Sequence, residues 1–192
     1  MAMRKPAAAA GSAVFFLVAP GTVLVLIPWW ITHWRVGEPA PWPPLRVAGA
    51  VLLLAAVAAL VWTFSRFVTE GRGTPAPVAA PEHLVVGGLY RYVRNPMYVA
   101  VLAGIVGQAL ILGRPVLLLY AAAVWVVPAA FVHWYEEPEL ARRFGAEYEE
   151  YRRAVPAWLP RLRPWRPGGD GADAPGLSRE RRPRPAPGND AR

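Results

Sequence analysis

Apolar residues in this chain fall into long blocks, at 14–31, 45–64, 98–112 and 116–134, not into the alternation of a half-buried strand. A helix needs about 20 apolar residues to cross a hydrocarbon core. The pattern therefore predicts an all-α, polytopic membrane protein with about four transmembrane helices. The 98–112 block is short, which an interfacial anchor or a shielding partner helix accommodates at modest cost. Ala100, Ala103, Gly104 and Gly107 put small residues along one of its faces, and Gly113-Arg114-Pro115 supplies a tight reversal. Together they predict a close antiparallel hairpin between the third and fourth blocks.

The pattern changes after Glu137-Pro138. At about 100° per residue, Leu140, Phe144, Tyr148, Tyr151 and Val155 share one arc, with Arg142, Glu149, Arg152 and Arg153 opposite. This predicts a C-terminal amphipathic, interfacial helix over 139–154. Gly145 in its middle costs about 1 kcal/mol relative to alanine, so packing must supply the stability. Residues 65–95 are rich in Gly and Pro (Gly71, Gly73, Pro75, Pro77, Pro81), which excludes a long helix there. They are expected to form a cytoplasmic loop, a short turn at Gly87-Gly88 and a return to the membrane at Pro96, a residue suited to the first helical position. Beyond Pro164 apolar periodicity is lost, which predicts a disordered tail. The expected organisation is an N-terminal helix pair (1–66), a region holding the loop, hairpin and amphipathic helix (67–163), and the tail (164–192).

Composition agrees with a membrane protein: 55% of the 192 residues are hydrophobic and the net charge is +8. Arg4 and Lys5 precede the first block as in a secretory signal, but that block ends in Trp29-Trp30 without a small-residue cleavage site, as a retained anchor does. Arg35, Arg46 and Arg114 fall on one side of the expected spans; Arg4, Lys5, Arg66, Arg72, Arg91, Arg94 and the arginine-rich C-terminus fall on the other. Excess basic residues mark the cytoplasmic side, so both termini are expected there, in a bacterial inner membrane. Trp29, Trp30, Trp34 and Trp42 crowd the opposite end, where amphipathic rings favour headgroups. Because the arginines flank apolar spans, anionic membrane lipids, not nucleic acid, are their expected partner. With no cysteine there is no disulfide and no thiolate nucleophile or metal ligand. His33 and His133 lie near opposite membrane ends without metal-ligand spacing and read as interfacial; no metal is expected.

Two polar clusters interrupt the apolar pattern. The first is Tyr90-x-x-x-Arg94-Asn95-Pro96-x-Tyr98. The second is Glu136-Glu137-x-x-Leu140-x-x-x-Phe144-Gly145-x-x-Tyr148-x-x-Tyr151, followed by Val155-Pro156 and Pro160-Arg161. Charge at a bilayer edge is costly and marks function. As a set, over residues 82–161, these resemble the isoprenylcysteine carboxyl methyltransferase and phospholipid methyltransferase superfamily. The resemblance implies a membrane-integral enzyme using S-adenosylmethionine. It further implies that Leu84, Val85, Tyr90, Asn95, Pro96, Met97, Tyr98, Glu136 and Glu137 surround the cofactor, and that Leu140, Phe144, Gly145, Tyr148 and Tyr151 form a helix closing the pocket. Where the family commonly has histidine before the proline, this chain has Asn95. Asparagine donates and accepts but does not titrate near neutrality, so Asn95 is expected to hold the cofactor and not to move a proton.

The residue types suit that chemistry on their own. A sulfonium donor with an amino-acid end calls for carboxylates and aromatic faces, which Glu136, Glu137, Tyr90 and Tyr98 supply. Methyl transfer is an in-line displacement that gains most from positioning and exclusion of water. The catalytic candidates are Glu137 and Arg94. Arg94, with Arg91, could meet an acceptor carboxylate through paired hydrogen bonds, or could only anchor the loop to headgroups. The expected substrate is a lipophilic acid of the isoprenylcysteine type. The alternatives are a lipid amine, for which Glu137 would be the base, and a noncatalytic accessory protein.

Overall fold

In the computed structural model, residues 18–69, 84 and 86–166 are described, and every regular element among them is helical. In chain order these are α1 (Val18–Thr32), α2 (Pro43–Thr69), a single 3-10 turn (Gly88–Arg91), α3 (Pro96–Leu112), α4 (Val116–Phe131) and α5 (Glu137–Ala154). The run Pro43–Ser65 within α2 and the run beginning at Val116 are long and apolar enough to cross a membrane, while α1 and α3 are shorter apolar helices. α2 exposes Val47, Val51, Leu54 and Val61, and α4 exposes Leu118, Leu119, Val126 and Val127. Helices apolar on their outward as well as inward faces have lipid as their natural surroundings.

The small face of α3 is used differently from the expectation. Its partner is α2, not α4. A Cβ added at Gly107 would lie 2.8 Å from the Gly49 carbonyl oxygen, and one added at Gly49 would lie 2.7 Å from that of Gly107. The two backbones thus touch, as small-residue stripes permit where lipid gives no hydrophobic drive to associate. Gly104 faces Leu24 of α1 and Ala56 of α2. The α3–α4 hairpin is nevertheless formed, by larger residues: Ile105, Ala109 and Leu112 pack with Leu117 and Ala121. Gly113, left-handed at φ 63°, ends α3 and makes the reversal.

Two prolines bend the helices in the same way. Pro28 has no N–H for the Leu24 carbonyl, and the chain just before it winds as a π turn over Thr22–Leu26. The freed oxygens are served from neighbouring helices: Gln108 Nε2 donates to Leu24 O at 2.8 Å, and the Tyr120 hydroxyl donates to Val23 O at 3.0 Å. Pro138 likewise follows a π turn, Val132–Glu136. Where the sequence pattern changes, the helix does not stop: it continues from Val116 to Ala154 through that turn. The break comes later. Gly145 has φ 53° and ψ −125°, so it kinks α5 and does not merely lower its helical propensity.

The predicted apolar arc of α5 is real but covered by the chain itself: Tyr148, Tyr151 and Val155 are buried with Trp165, flanked by Leu84, Val86, Leu140 and Phe144. Trp165, only 3% exposed, corrects the expected start of the tail at 164. Residues 164–166 belong to the folded unit, because one large ring completes a core that α5 cannot close alone. The remainder of that tail, and Val85, lie outside the described residues.

Candidate functional site

A left-handed Gly88, φ 57°, starts the 3-10 turn. From there residues 91–95 run beside the segment following α5, and backbone hydrogen bonds lace the two. Arg94 N donates to Pro156 O (2.9 Å), Asn95 N to Ala157 O (3.3 Å), Arg161 N to Tyr92 O (2.9 Å) and Trp165 N to Arg91 O (2.9 Å). Side chains reinforce the lacing: Arg91 Nε donates to Trp165 O (2.6 Å), Asn95 Nδ2 to Ala157 O (3.2 Å) and the Tyr151 hydroxyl to Tyr90 O (2.7 Å). Segments some 60 residues apart in sequence are thereby fixed side by side.

Within this frame the two polar clusters meet. Arg94 Nη1 donates to Glu137 Oε1 at 2.6 Å and to the Tyr148 hydroxyl at 3.2 Å. The Arg94 and Glu137 side chains are only 14% and 15% exposed. The other Glu137 oxygen lies 3.8 Å from Arg152 Nη1, and Arg152 in turn pairs with Glu149 at 3.1 Å. Arg94 Nε is buried and has no hydrogen-bond partner. An orphaned buried donor costs about 1–3 kcal/mol, so this nitrogen calls for an acceptor. Glu136, half-buried beside Glu137, has its carboxyl pushed above the ordinary value, first by burial and then by its charged neighbour. Burial also raises the Tyr148 and Tyr151 phenols, which keeps both protonated and suits Tyr151 to donate.

The remaining candidate residues separate into two groups. Tyr98, on the first turn of α3, lies near enough to Glu136 to feel its charge, and its ring is 6.2 Å from that of Trp158, which also meets Trp125 at 5.9 Å. Leu84 packs on the Tyr148–Trp165 core, Pro96 is buried as the first residue of α3, and Met97 is half-buried next to it. Asn95 donates its backbone N–H and one side-chain N–H to Ala157, which leaves its side-chain oxygen and second side-chain N–H to offer. Arg91 is tied to Trp165 and does not share the Arg94 environment. Pro156 was part of the motif read in the sequence, but Ala157, Trp158 and Trp165 were not singled out, because they sit in a stretch of prolines and arginines with no period.

The family model for phospholipid methyltransferases matches residues 45–147, from α2 into α5. The chain belongs to the phospholipid methyltransferase family. Among curated relatives, the protein-S-isoprenylcysteine O-methyltransferase of Schizosaccharomyces pombe is 37% identical over 41% of this chain and 34% of its own length. The protein-S-isoprenylcysteine O-methyltransferase B of Arabidopsis thaliana is 28% identical over 69% of this chain and 60% of its own. The phosphatidylethanolamine N-methyltransferase of Phaeosphaeria nodorum is 36% identical over 33% of this chain and 7% of its own. The chain thus spans between a third and three-fifths of the two isoprenylcysteine relatives. No solved structure matches it with significance. The family match takes in Arg94 and Glu137 but ends one residue before Tyr148, so it stops short of the lacing segment that frames them.

Proposed function

We propose that this member of the phospholipid methyltransferase family is an integral membrane enzyme that transfers a methyl group from S-adenosylmethionine to a lipophilic acid of the prenylcysteine type. In this reading four helices cross the bilayer, both termini are cytoplasmic, and α5 lies at the cytoplasmic interface. The observation that carries it is Arg94: its guanidinium is held by Glu137 and Tyr148 while its buried Nε waits for an acceptor.

The residues fit the cofactor's chemistry. Glu136 and Glu137 offer carboxylates for an ammonium or ribose hydroxyls, Tyr90 and Tyr98 offer aromatic faces for a cation or purine, and Asn95 offers its oxygen. When bound, the cofactor supplies an electrophilic methyl group on a sulfonium. Arg94 Nε receives the acceptor carboxylate, which is already nucleophilic and needs no base. Glu137 holds Arg94 in place and balances its charge. With one oxygen on Arg94 and the other facing Arg152, Glu137 is better suited to positioning than to removing a proton from an amine. A purely noncatalytic scaffold gives no reason for a buried donor to be left open.

One observation favours the second reading, methylation of a lipid amine: the raised Glu136 carboxyl has moved toward the range of a proton acceptor. The test is purified protein in nanodiscs with labelled S-adenosylmethionine, offered a prenylcysteine acid or phosphatidylethanolamine. Base-labile label on the acid, lost in Arg94→Gln, supports the ester reading; base-stable label on the phospholipid, lost in Glu136→Gln, supports the amine. Titration with S-adenosylhomocysteine giving no heat refutes both.

A further inference from the structure

The segment after α5 carries a feature that methyl transfer does not require. Leu159 is 78% exposed and Leu162 is 98% exposed, yet neither is on a free end. Ala157, two residues before the first, accepts from Asn95; Arg161 donates to Tyr92; Trp165 donates to Arg91. Two leucines are therefore held outward by a strap pinned at three points. Asn95 immediately precedes Pro96, the first residue of α3, so the strap is fixed at the level where an apolar helix begins. Arg163 and Arg166, alternating with the apolar positions, are exposed as well.

We infer that residues 157–166 form a membrane-docking strap, with Leu159 and Leu162 inserted at the boundary of headgroups and acyl chains and Arg163 and Arg166 on anionic phospholipid. Three features choose lipid as the occupant. The strap is hydrogen-bonded through Ala157 to Asn95, at the start of an apolar helix. Its exposed charges are all positive among Arg163 and Arg166. The leucines project singly from two bends of the strap, a shape that fits between fluid chains. The strap also holds Arg91 and Asn95 by backbone bonds, so docking fixes the frame around Arg94 from the membrane side.

The chain has no cysteine, so one introduced thiol is unique. Leu162→Cys, and separately Leu159→Cys, is labelled with bimane in nanodiscs containing phosphatidylglycerol. A phospholipid spin-labelled near its headgroup should cut the emission by about half, while aqueous iodide changes it little. In pure phosphatidylcholine, or with Arg163→Gln or Arg166→Gln added, the docked-to-undocked ratio should fall by about fivefold per lost arginine contact. Quenching by iodide but not by lipid would overturn the docking. Protection from both would assign the leucines to another protein surface, and indifference to phosphatidylglycerol would remove the arginines' role. Because no arm reads activity, these outcomes are independent of the proposed reaction.

Discussion

The bond between Arg94 and Glu137 is the contact on which the site depends, and its strength can be worked from its surroundings. At an effective dielectric of about 20, two unit charges about 4 Å apart attract by about 4 kcal/mol. Both side chains are nearly buried, so solvent screens them little and desolvation offsets part of that attraction. Glu137→Gln keeps an oxygen for Arg94 but leaves the guanidinium without its near counter-charge, while Arg152 keeps its pairing with Glu149. We expect a loss of about 3 kcal/mol, a fall in Tm of roughly 6–12 °C for a chain of this size. Arg94→Gln should cost a similar amount. The double variant should cost less than the sum, with a coupling of about 2 kcal/mol. Thermal unfolding in nanodiscs, followed by tryptophan fluorescence, gives all four corners of the cycle. Single losses below about 1 kcal/mol that simply add would mean that the pair behaves as a solvated surface bridge. The argument that Glu137 presents Arg94 would then fail.

Three other outcomes follow from the same structure. A chain ending at Pro164 should lose about 3–5 kcal/mol, and with it the proposed methyl-transfer activity, relative to one ending at Arg166, since only the latter keeps the buried Trp165 ring; equal Tm values would contradict its place in the core. Glu136 has a folded-state carboxyl raised above 4.5, so the folded state holds its proton more tightly and stability falls as pH rises from about 4.5 through the raised value. Glu136→Gln should therefore raise Tm at pH 8 and leave it unchanged at pH 4, and a gain of the same size at both would refute the assignment. Gly107→Ala should destabilise by about 1–3 kcal/mol because the neighbouring atom is the Gly49 backbone and cannot rotate away; a neutral result by thermal unfolding would show that the helices separate freely.

How much of this was legible in the sequence depends on whether the determining interaction was local. The apolar blocks, the proline start of α3, the glycine reversal at Gly113 and the arc from Leu140 to Val155 are consequences of neighbouring residues, and each could be read directly. The partner of the small face was not legible, because Gly104 and Gly107 specify only that some backbone comes close. Gly49, which meets Gly107, lies in an apolar run where a glycine has no distinguishing neighbours. Arg94 and Glu137 were each recognisable as costly charges beside apolar spans. Their 2.6 Å contact depends on the π turn before Pro138, which rotates the end of the fourth span by an extra residue.

That turn joins the fold to the proposed chemistry. Pro28 and Pro138 each follow a π turn by the same spacing, yet they resolve the bend differently. In α1 the freed carbonyls are satisfied by Gln108 and Tyr120, so the bend is a closed structural joint. In the second turn the residues at the bend are themselves Glu136 and Glu137, and the Glu137 carboxylate meets Arg94 from a distant segment. Straightening this turn into an α-helix would swing the Glu137 carboxylate by about 100° around the axis, away from Arg94. The proline is thus as much a part of the site as the acids. Its replacement by alanine should strengthen the helix locally while weakening the Arg94–Glu137 pair, a combination that a merely permissive kink would not produce.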